Sequence, residues 1–313
     1  MDAISTQLPA AFVARLQIII PAQHRHAVLQ SFNRSPLPSF RVNTLTTTVV
    51  TALKTLALPV QPVAAVEGAF TVPTEFREAL THSELASNGD IYIQDIGSMI
   101  IADLVDAKAG DEVLDLAAAP GGKTLLLANR MANRGRIAAV EAIKTRFFQL
   151  QQNVQLAKAT MVECYLKDGR KVGRQVPARF DRVLLDAPCS SESRFQATAP
   201  ETFQYWSEKK IAAMQRKQKQ LLYSAIEACK PGGRIVYSTC SFAPEENEAV
   251  IDRQLQLWEQ QLDVVPITLA LDNCQAGLSA WGRQTFDQRL RHALRLLPNH
   301  QMSGFFVCVL AKH

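Results

Sequence analysis

Val113-Leu114-Asp115-Leu116-Ala117-Ala118-Ala119-Pro120-Gly121-Gly122-Lys123-Thr124 reads as a buried strand, a turn of small residues and the first residues of a helix. Small side chains in such a turn let a ligand lie against the backbone and the unpaired N–H groups of the helix start. Outward from this stretch, short apolar runs alternate with amphipathic ones from Glu112 to the end. That alternation is the mark of βαβ units around a mostly parallel sheet, so the fold class is α/β. Strands are predicted near 112–116, 136–141, 160–165, 181–186, 233–239 and 305–311, and helices near 96–106, 123–132, 143–157, 207–229 and 245–261. Pro231-Gly232-Gly233 is expected to end the fourth of those helices and turn the chain into the next strand.

Residues 1–90 have a different texture: short helices near 9–20 and 22–33, the run Phe40-Arg41-Val42-Asn43-Thr44, then a helix and weak strands among Pro59, Pro62 and Pro73. This predicts a small α+β module, 1–90, ahead of a main domain, 91–313, with the boundary at the turn near 88–92. The 313 residues are 47% apolar, enough for two cores. No apolar run approaches the roughly 20 residues that span a bilayer. The start, Met1-Asp2-Ala3, lacks the basic and apolar regions of a secretory signal, so a cytoplasmic location is the expectation.

The small-residue turn admits two readings. About 25 residues beyond it Glu141 ends a predicted strand, where a carboxylate can accept both hydroxyls of a ribose. Asp168 follows the third strand and is placed to accept from an adenine amino group. The rival is a phosphate-binding loop, because Gly122-Lys123-Thr124 has the required ending and Val183-Leu184-Leu185-Asp186 could pass for a metal-holding strand. That loop needs glycine where Ala117 stands, and Pro120 removes an N–H that would cradle phosphates. An adenosyl sulfonium therefore ranks above a nucleoside triphosphate.

Six cysteines, at 164, 189, 229, 240, 274 and 308, show no Cys-x-x-Cys pair or matching histidine, so neither zinc nor a disulfide framework is indicated. Cys164, Cys229, Cys274 and Cys308 sit where ordinary buried thiols sit. Cys189 in Asp186-Ala187-Pro188-Cys189-Ser190 and Cys240 in Tyr237-Ser238-Thr239-Cys240-Ser241 each follow a strand, and Pro188 suits a strand exit rather than a core strand. In an open α/β sheet the carboxyl ends of strands border the ligand crevice, so two thiols could reach one substrate atom. Carbon 5 of a pyrimidine becomes nucleophilic once a thiolate adds to carbon 6. Asp186 would lie beside the base and hydrogen-bond ring nitrogen 3.

The Asp115–Thr124 run, the Asp186–Ser190 motif and the Ser238–Ser241 motif, with Pro244-Glu245-Glu246-Asn247-Glu248 and Gly304-Phe305-Phe306, resemble the Sun/Nop-type, Fmu-like RNA cytosine-5 methyltransferases, bacterial ribosomal members above all. Arg41-Val42-Asn43-Thr44 and Gln94-Asp95 carry the resemblance into the N-terminal part. It implies a Rossmann-like methyltransferase fold with a mostly parallel seven-stranded sheet and an N-terminal RNA-binding module. It also implies methyl transfer from S-adenosylmethionine to cytosine carbon 5, with Cys240 as nucleophile, Cys189 assisting release and Asp186 at the base. The cofactor set it implies is Ala117, Ala119, Pro120, Gly121, Gly122, Lys123, Glu141, Arg146, Asp168 and Asp186. The expected partner is RNA, ribosomal ahead of transfer RNA, for a monomer without metal. An NTP-binding RNA-associated protein and a catalytically silent RNA-binding module are the alternatives. After Cys189, Ser190-Ser191-Glu192-Ser193 departs from the family's Ser-Gly-x-Gly, and Ser303 replaces an acidic residue before Gly-Phe-Phe.

With 34 basic and 29 acidic residues the net charge is only +5, so placement matters more than total. Basic clusters that could meet phosphates are Lys167, Arg170, Lys171 and Arg174; Lys209, Lys210, Arg216, Lys217 and Lys219; and Arg283, Arg289, Arg291 and Arg295. A solvated helix face is the competing reading of each. Phe195, Phe203, Tyr205 and Trp206 could stack on a splayed base, or pack the loop after Cys189 onto the sheet.

Overall fold

In a computed structural model, which describes residues 7–313, the predicted strands assemble into one large sheet. Its order from one edge is Val162–Leu166, Arg136–Glu141, Glu112–Asp115, Phe180–Asp186, Cys229–Thr239 and Phe305–Lys312. The first five run parallel and the last antiparallel. Leu262–Val265 pairs with residues 309–312 of the last strand, completing the seven strands expected. Leu294–Leu296 pairs with residues 305–307 of the same strand and Cys274–Ala276 with it in turn, so the sheet counts nine.

Successive strand side chains point to opposite faces, and the apolar runs therefore fill two layers. Leu114, Val183, Leu185, Ile235 and Tyr237 face the helices Glu208–Ala228 and Glu248–Trp258. Val113, Ile137, Leu184 and Val236 face the helices Ile96–Asp103 and Gly122–Arg130. Among the described residues no helix is long and apolar enough to cross a membrane.

Pro231-Gly232-Gly233 does not terminate a helix. The helix ends at Ala228, Cys229 already pairs with Phe180, and the three residues form an irregularity inside the strand before pairing resumes at Arg234. Proline has no N–H for a ladder and Gly232 has φ +78°, so both suit a bulge.

The small antiparallel sheet has the order Gln61–Pro62, Ala69–Thr71, Ser39–Val42, Ile91–Ile93. It extends past the turn at 88–92 by one strand. The helices Ala10–Ile19 and Ala22–Ser31 do not pack on this sheet. Phe12 and Phe32 lie instead in one apolar cluster with Phe195, Phe242 and Leu297 of the main domain. Arg41, buried in the small sheet, donates to Gln94 Oε1 at 3.1 Å and to the Gly122 carbonyl at 3.2 Å, supporting the small-residue turn from behind.

Candidate active site

Five parallel strands deliver their carboxyl ends to one cavity of about 650 Å³, the place such a sheet offers a ligand. Ala117, Ala119, Pro120, Gly122, Lys123, Glu141, Arg146, Asp168, Asp186, Cys189 and Cys240 all line it. Gly121 does not. It caps the helix Gly122–Arg130 with φ +109°, and the space where a side chain would start is taken by Leu150.

The wall built by the turn is made of backbone and methyl groups, with carboxylates at its rim. Glu141 is buried, accepts from the Ile143 amide at 2.9 Å and has Arg146 at 3.8 Å. Asp168 is engaged by Arg170, whose Nε lies 2.9 Å from Oδ1, and this pairing holds its carboxyl below the usual range. Asp115, buried at the base of the wall, accepts from Thr124 Oγ1 at 2.6 Å while Oδ1 has no partner. Burial pushes its carboxyl up to about 6, against the Thr124 hydrogen bond. Thr124 is fully buried on that bond, and Lys123 Nζ sits 2.7 Å from Asp186 Oδ2, so neither residue presents itself to a triphosphate or its metal. The phosphate-loop alternative fails on this geometry. No group of three or more metal-ligating side chains occurs among the described residues.

At the opposite wall the two motif cysteines meet. Cys189 Sγ and Cys240 Sγ lie 3.3 Å apart. The hydrogen bond from the Cys189 thiol pulls Cys240 down to about 7, helped by the positive charge of Arg194 and opposed by burial. The same contact, followed by burial, holds Cys189 well above the ordinary thiol value. Of the two thiols, Cys240 is thus the one drawn toward the anionic form and Cys189 the one held protonated. Asp186 lies alongside, with Ser238 Oγ donating to Oδ1 at 2.8 Å and Lys123 bonded also to Ser98 Oγ at 2.8 Å. Cys229 and Cys308 are fully buried, and burial raises both thiols, Cys229 to about 12.

Two buried carboxylates tie the cysteine segments together. Glu192 accepts from Trp206 Nε1 at 2.8 Å, Ser241 Oγ at 3.0 Å, and the Phe242 and Ala243 amides at 2.8 and 2.9 Å. Glu246 accepts from the Ser190 amide at 2.9 Å, from Gln218 Nε2 at 2.8 Å and from Ser241 Oγ at 2.9 Å. The departure at 190–193 is therefore an ordered turn. Ser191 stands there with φ +62°, a conformation that favours glycine.

The sequence did not single out Arg194, Ser98, Ser238 or Glu192 as site residues. Nothing local marks Arg194 or Ser98, whereas Ser238 and Glu192 stand in stretches quoted above, without their roles. Glu246 was visible as part of a motif, without its role. Of the four aromatics, Phe195, Phe203 and Trp206 pack the loop. Phe195 is 4.9 Å from Phe12 edge-on, Phe203 is beside Phe195, and Trp206 is 5.8 Å from Phe12. Tyr205 alone is turned outward, 75% exposed. Arg295 corrects the phosphate expectation: it is buried, with Nε 2.8 Å from Glu248 Oε1. Arg289 and Arg170 are bound to Asp287 and Asp168. Lys217 lines the cavity.

A family model described as 16S rRNA methyltransferase RsmB/F matches residues 102–311. A Klebsiella pneumoniae protein, ribosomal RNA small subunit methyltransferase F, is 33% identical over 97% of this chain. A Vibrio parahaemolyticus protein of the same description is 31% identical over 98% of it. The chain spans 63% of the length of these relatives. Among solved structures, PH0851 superposes with a TM-score of 0.83 at 31% identity, over all of this chain and 69% of that one. A methyltransferase homologue from Pyrococcus horikoshii gives 0.77 at 29% identity, over 98% of this chain and all of that one.

Proposed function

Because the chain belongs to the 16S rRNA methyltransferase RsmB/F family, we propose that it methylates carbon 5 of a cytosine in ribosomal RNA through a covalent bond from Cys240 to carbon 6. The observation that carries the reading is the thiol pair, 3.3 Å apart at the wall of a strand-end cavity beside Asp186. The residues present fit S-adenosylmethionine: a backbone-lined turn, Glu141 for ribose hydroxyls, Asp168 for the adenine edge and acidic groups for a cationic ligand. When bound, this cofactor supplies an electrophilic methyl group.

In this mechanism the Cys240 thiolate adds to carbon 6 of the base, and the displaced π electrons make carbon 5 nucleophilic. As the thiolate adds, negative charge builds at nitrogen 3 of the base; Asp186, protonated at that point with the Lys123 ammonium 2.7 Å from its Oδ2 as the proton source, would donate a hydrogen bond there and restrain that charge. Once Cys240 has become a thioether, the negative neighbour that holds Cys189 protonated is gone. Cys189 then loses its proton more readily and assists the loss of the carbon 5 proton, whose electron pair expels the Cys240 sulfur. In the same reading 91–313 is the methyltransferase domain and 1–90 the RNA-binding module. What supports the second assignment is that Phe12 and Phe32 pack on Phe242, two positions after Cys240, and so join the N-terminal helices to the thiol segment.

The test is transfer of labelled methyl from S-adenosylmethionine to unmodified ribosomal and transfer RNA, by the native chain, Cys240→Ala and Cys189→Ala, with products run on a denaturing protein gel. Label on ribosomal cytosine, lost in Cys240→Ala, with a protein–RNA adduct trapped by Cys189→Ala, is the expected result. Label on transfer RNA alone overturns the substrate assignment. Undiminished methylation by Cys240→Ala overturns the mechanism. S-adenosylhomocysteine should raise the melting temperature, and ATP with magnesium should not.

A further inference from the structure

The turn that carries the 190–193 departure leads into a cation, Arg194, which is exposed and lines the cavity that holds the thiols. The Ser193 amide donates to the Cys240 carbonyl at 3.0 Å, and the Arg194 amide to the Ser191 carbonyl at 3.0 Å, which bolts the turn to the Cys240 segment. Arg194 lines the same cavity as both cysteines and Asp186. Its guanidinium takes no hydrogen bond or ion pair among the described residues, whereas the neighbouring acids are engaged. Asp186 is held by Lys123 and Ser238. Glu192 and Glu246, behind the loops, are saturated by amides, hydroxyls and the Trp206 and Gln218 donors. An arginine cannot shed its charge, so an unpaired guanidinium that shares a cavity with a buried thiol favours the anionic form of that thiol.

We propose that Arg194 is the positioning residue that keeps Cys240 ionised before substrate arrives, acting through the thiolate rather than on the RNA. This deepens the reading of Cys240 as nucleophile and rests on it. The groups facing Cys240 are Cys189 as hydrogen-bond donor, Arg194 as cation and Asp186 as an opposing anion, with the Lys123 ammonium held on Asp186. The charge on Cys240 disappears when the sulfur bonds to carbon 6, so Arg194 favours the free nucleophile and not the adduct. The conservative replacement for this role is lysine, because charge rather than a forked hydrogen bond is what the geometry uses.

The experiment follows alkylation of Cys240 by iodoacetamide against pH, resolved by peptide mass spectrometry, in the native chain, Arg194→Gln and Arg194→Lys, without RNA or cofactor. Loss of a close cation raises a thiol by about one unit, which lowers the thiolate fraction at pH 7 about fivefold. Arg194→Gln should show that shift and Arg194→Lys should restore most of it. An unshifted Cys240 profile in Arg194→Gln overturns the proposal. If the unshifted profile comes with weakened, salt-dependent RNA binding, Arg194 is a phosphate contact instead. Because the readout needs no methyl transfer, it stands apart from the test of Cys240 as nucleophile: Cys240→Ala that still methylates overturns that reading, whatever the alkylation profile.

Discussion

Replacing Glu192 by alanine tests whether the buried carboxylate, rather than the sequence around it, holds the Cys240 segment. The side chain is 1% exposed and accepts four hydrogen bonds, from Trp206, Ser241, Phe242 and Ala243. Ser241 Oγ keeps Glu246, and the Ala243 amide keeps Ser241 Oγ at 3.1 Å. The Phe242 amide and the Trp206 indole N–H are then left without acceptors. Each buried orphan donor costs about 1–3 kcal/mol, so the gross penalty is roughly 2–6 kcal/mol. Burial already raises the Glu192 carboxyl above its usual range, which means its charge is a burden on the fold, and deleting it returns part of that. A net loss of about 3 kcal/mol is expected. Glu192→Gln should lose about half as much, since its amide nitrogen must face one set of donors. The assay is urea unfolding, reading the midpoint at constant slope, beside labelled methyl transfer, where turnover should fall more than cofactor affinity. Glu192→Ala with a midpoint and turnover equal to the native chain would refute the clamp.

Asp115 provides a pH signature. Its folded value is raised from 3.8 to about 6, so the native state binds more protons than the unfolded chain between those values and stability falls as pH rises through that window. The stability of the native chain relative to Asp115→Asn should drop by roughly 2 kcal/mol from pH 4 to pH 6, at up to 1.36 kcal/mol per unit; a flat difference in denaturant melts would contradict the burial argument. Arg295→Ala should cost about 3–5 kcal/mol by stranding the buried Glu248 carboxylate, while leaving the salt dependence of RNA binding unchanged. Lys217→Ala should do the reverse, weakening binding to all RNA sequences alike and lowering the salt slope by about 1, as titrations at several salt concentrations would show. Ser191→Gly should stabilise by up to about 1 kcal/mol, because a serine at φ +62° carries strain that glycine does not. Destabilisation would mean that the Ser191 hydroxyl, 3.9 Å from Cys189, matters more than the backbone.

The parts of the molecule legible in the sequence are those in which cause and effect lie within a few residues. Val113-Leu114 and Val183-Leu184-Leu185 announce buried strands because a strand covered on both faces must be apolar throughout. The small-residue turn and the cysteine at each strand exit are equally local. Pro231-Gly232-Gly233 misled because punctuation residues serve a helix end and a bulge alike, and only pairing with Phe180 decides between them. Arg295 misled for a related reason. A basic side chain reads as surface until the fold supplies Glu248, 47 positions away, as a buried partner.

The same logic explains why the cation and the clamp at the thiols were invisible while the thiols were not. Cys240 owes its acidity first to Cys189, 51 positions away, and then to Arg194. Glu192 reaches 50 positions to the Phe242 amide. Each tie joins the segment 189–206 to the segment 240–248, and the helices Ala10–Ile19 and Ala22–Ser31 then brace both through Phe12 against Phe195 and Phe32 against Phe242. The small sheet touches the opposite wall, through Arg41 on the Gly122 carbonyl. The N-terminal residues thus support two different walls of one cavity: two helices behind the thiol segment and a strand behind the small-residue turn. That division follows from packing, and it requires the thiol wall to respond to changes in Phe12 while the small-residue wall responds to changes in Arg41.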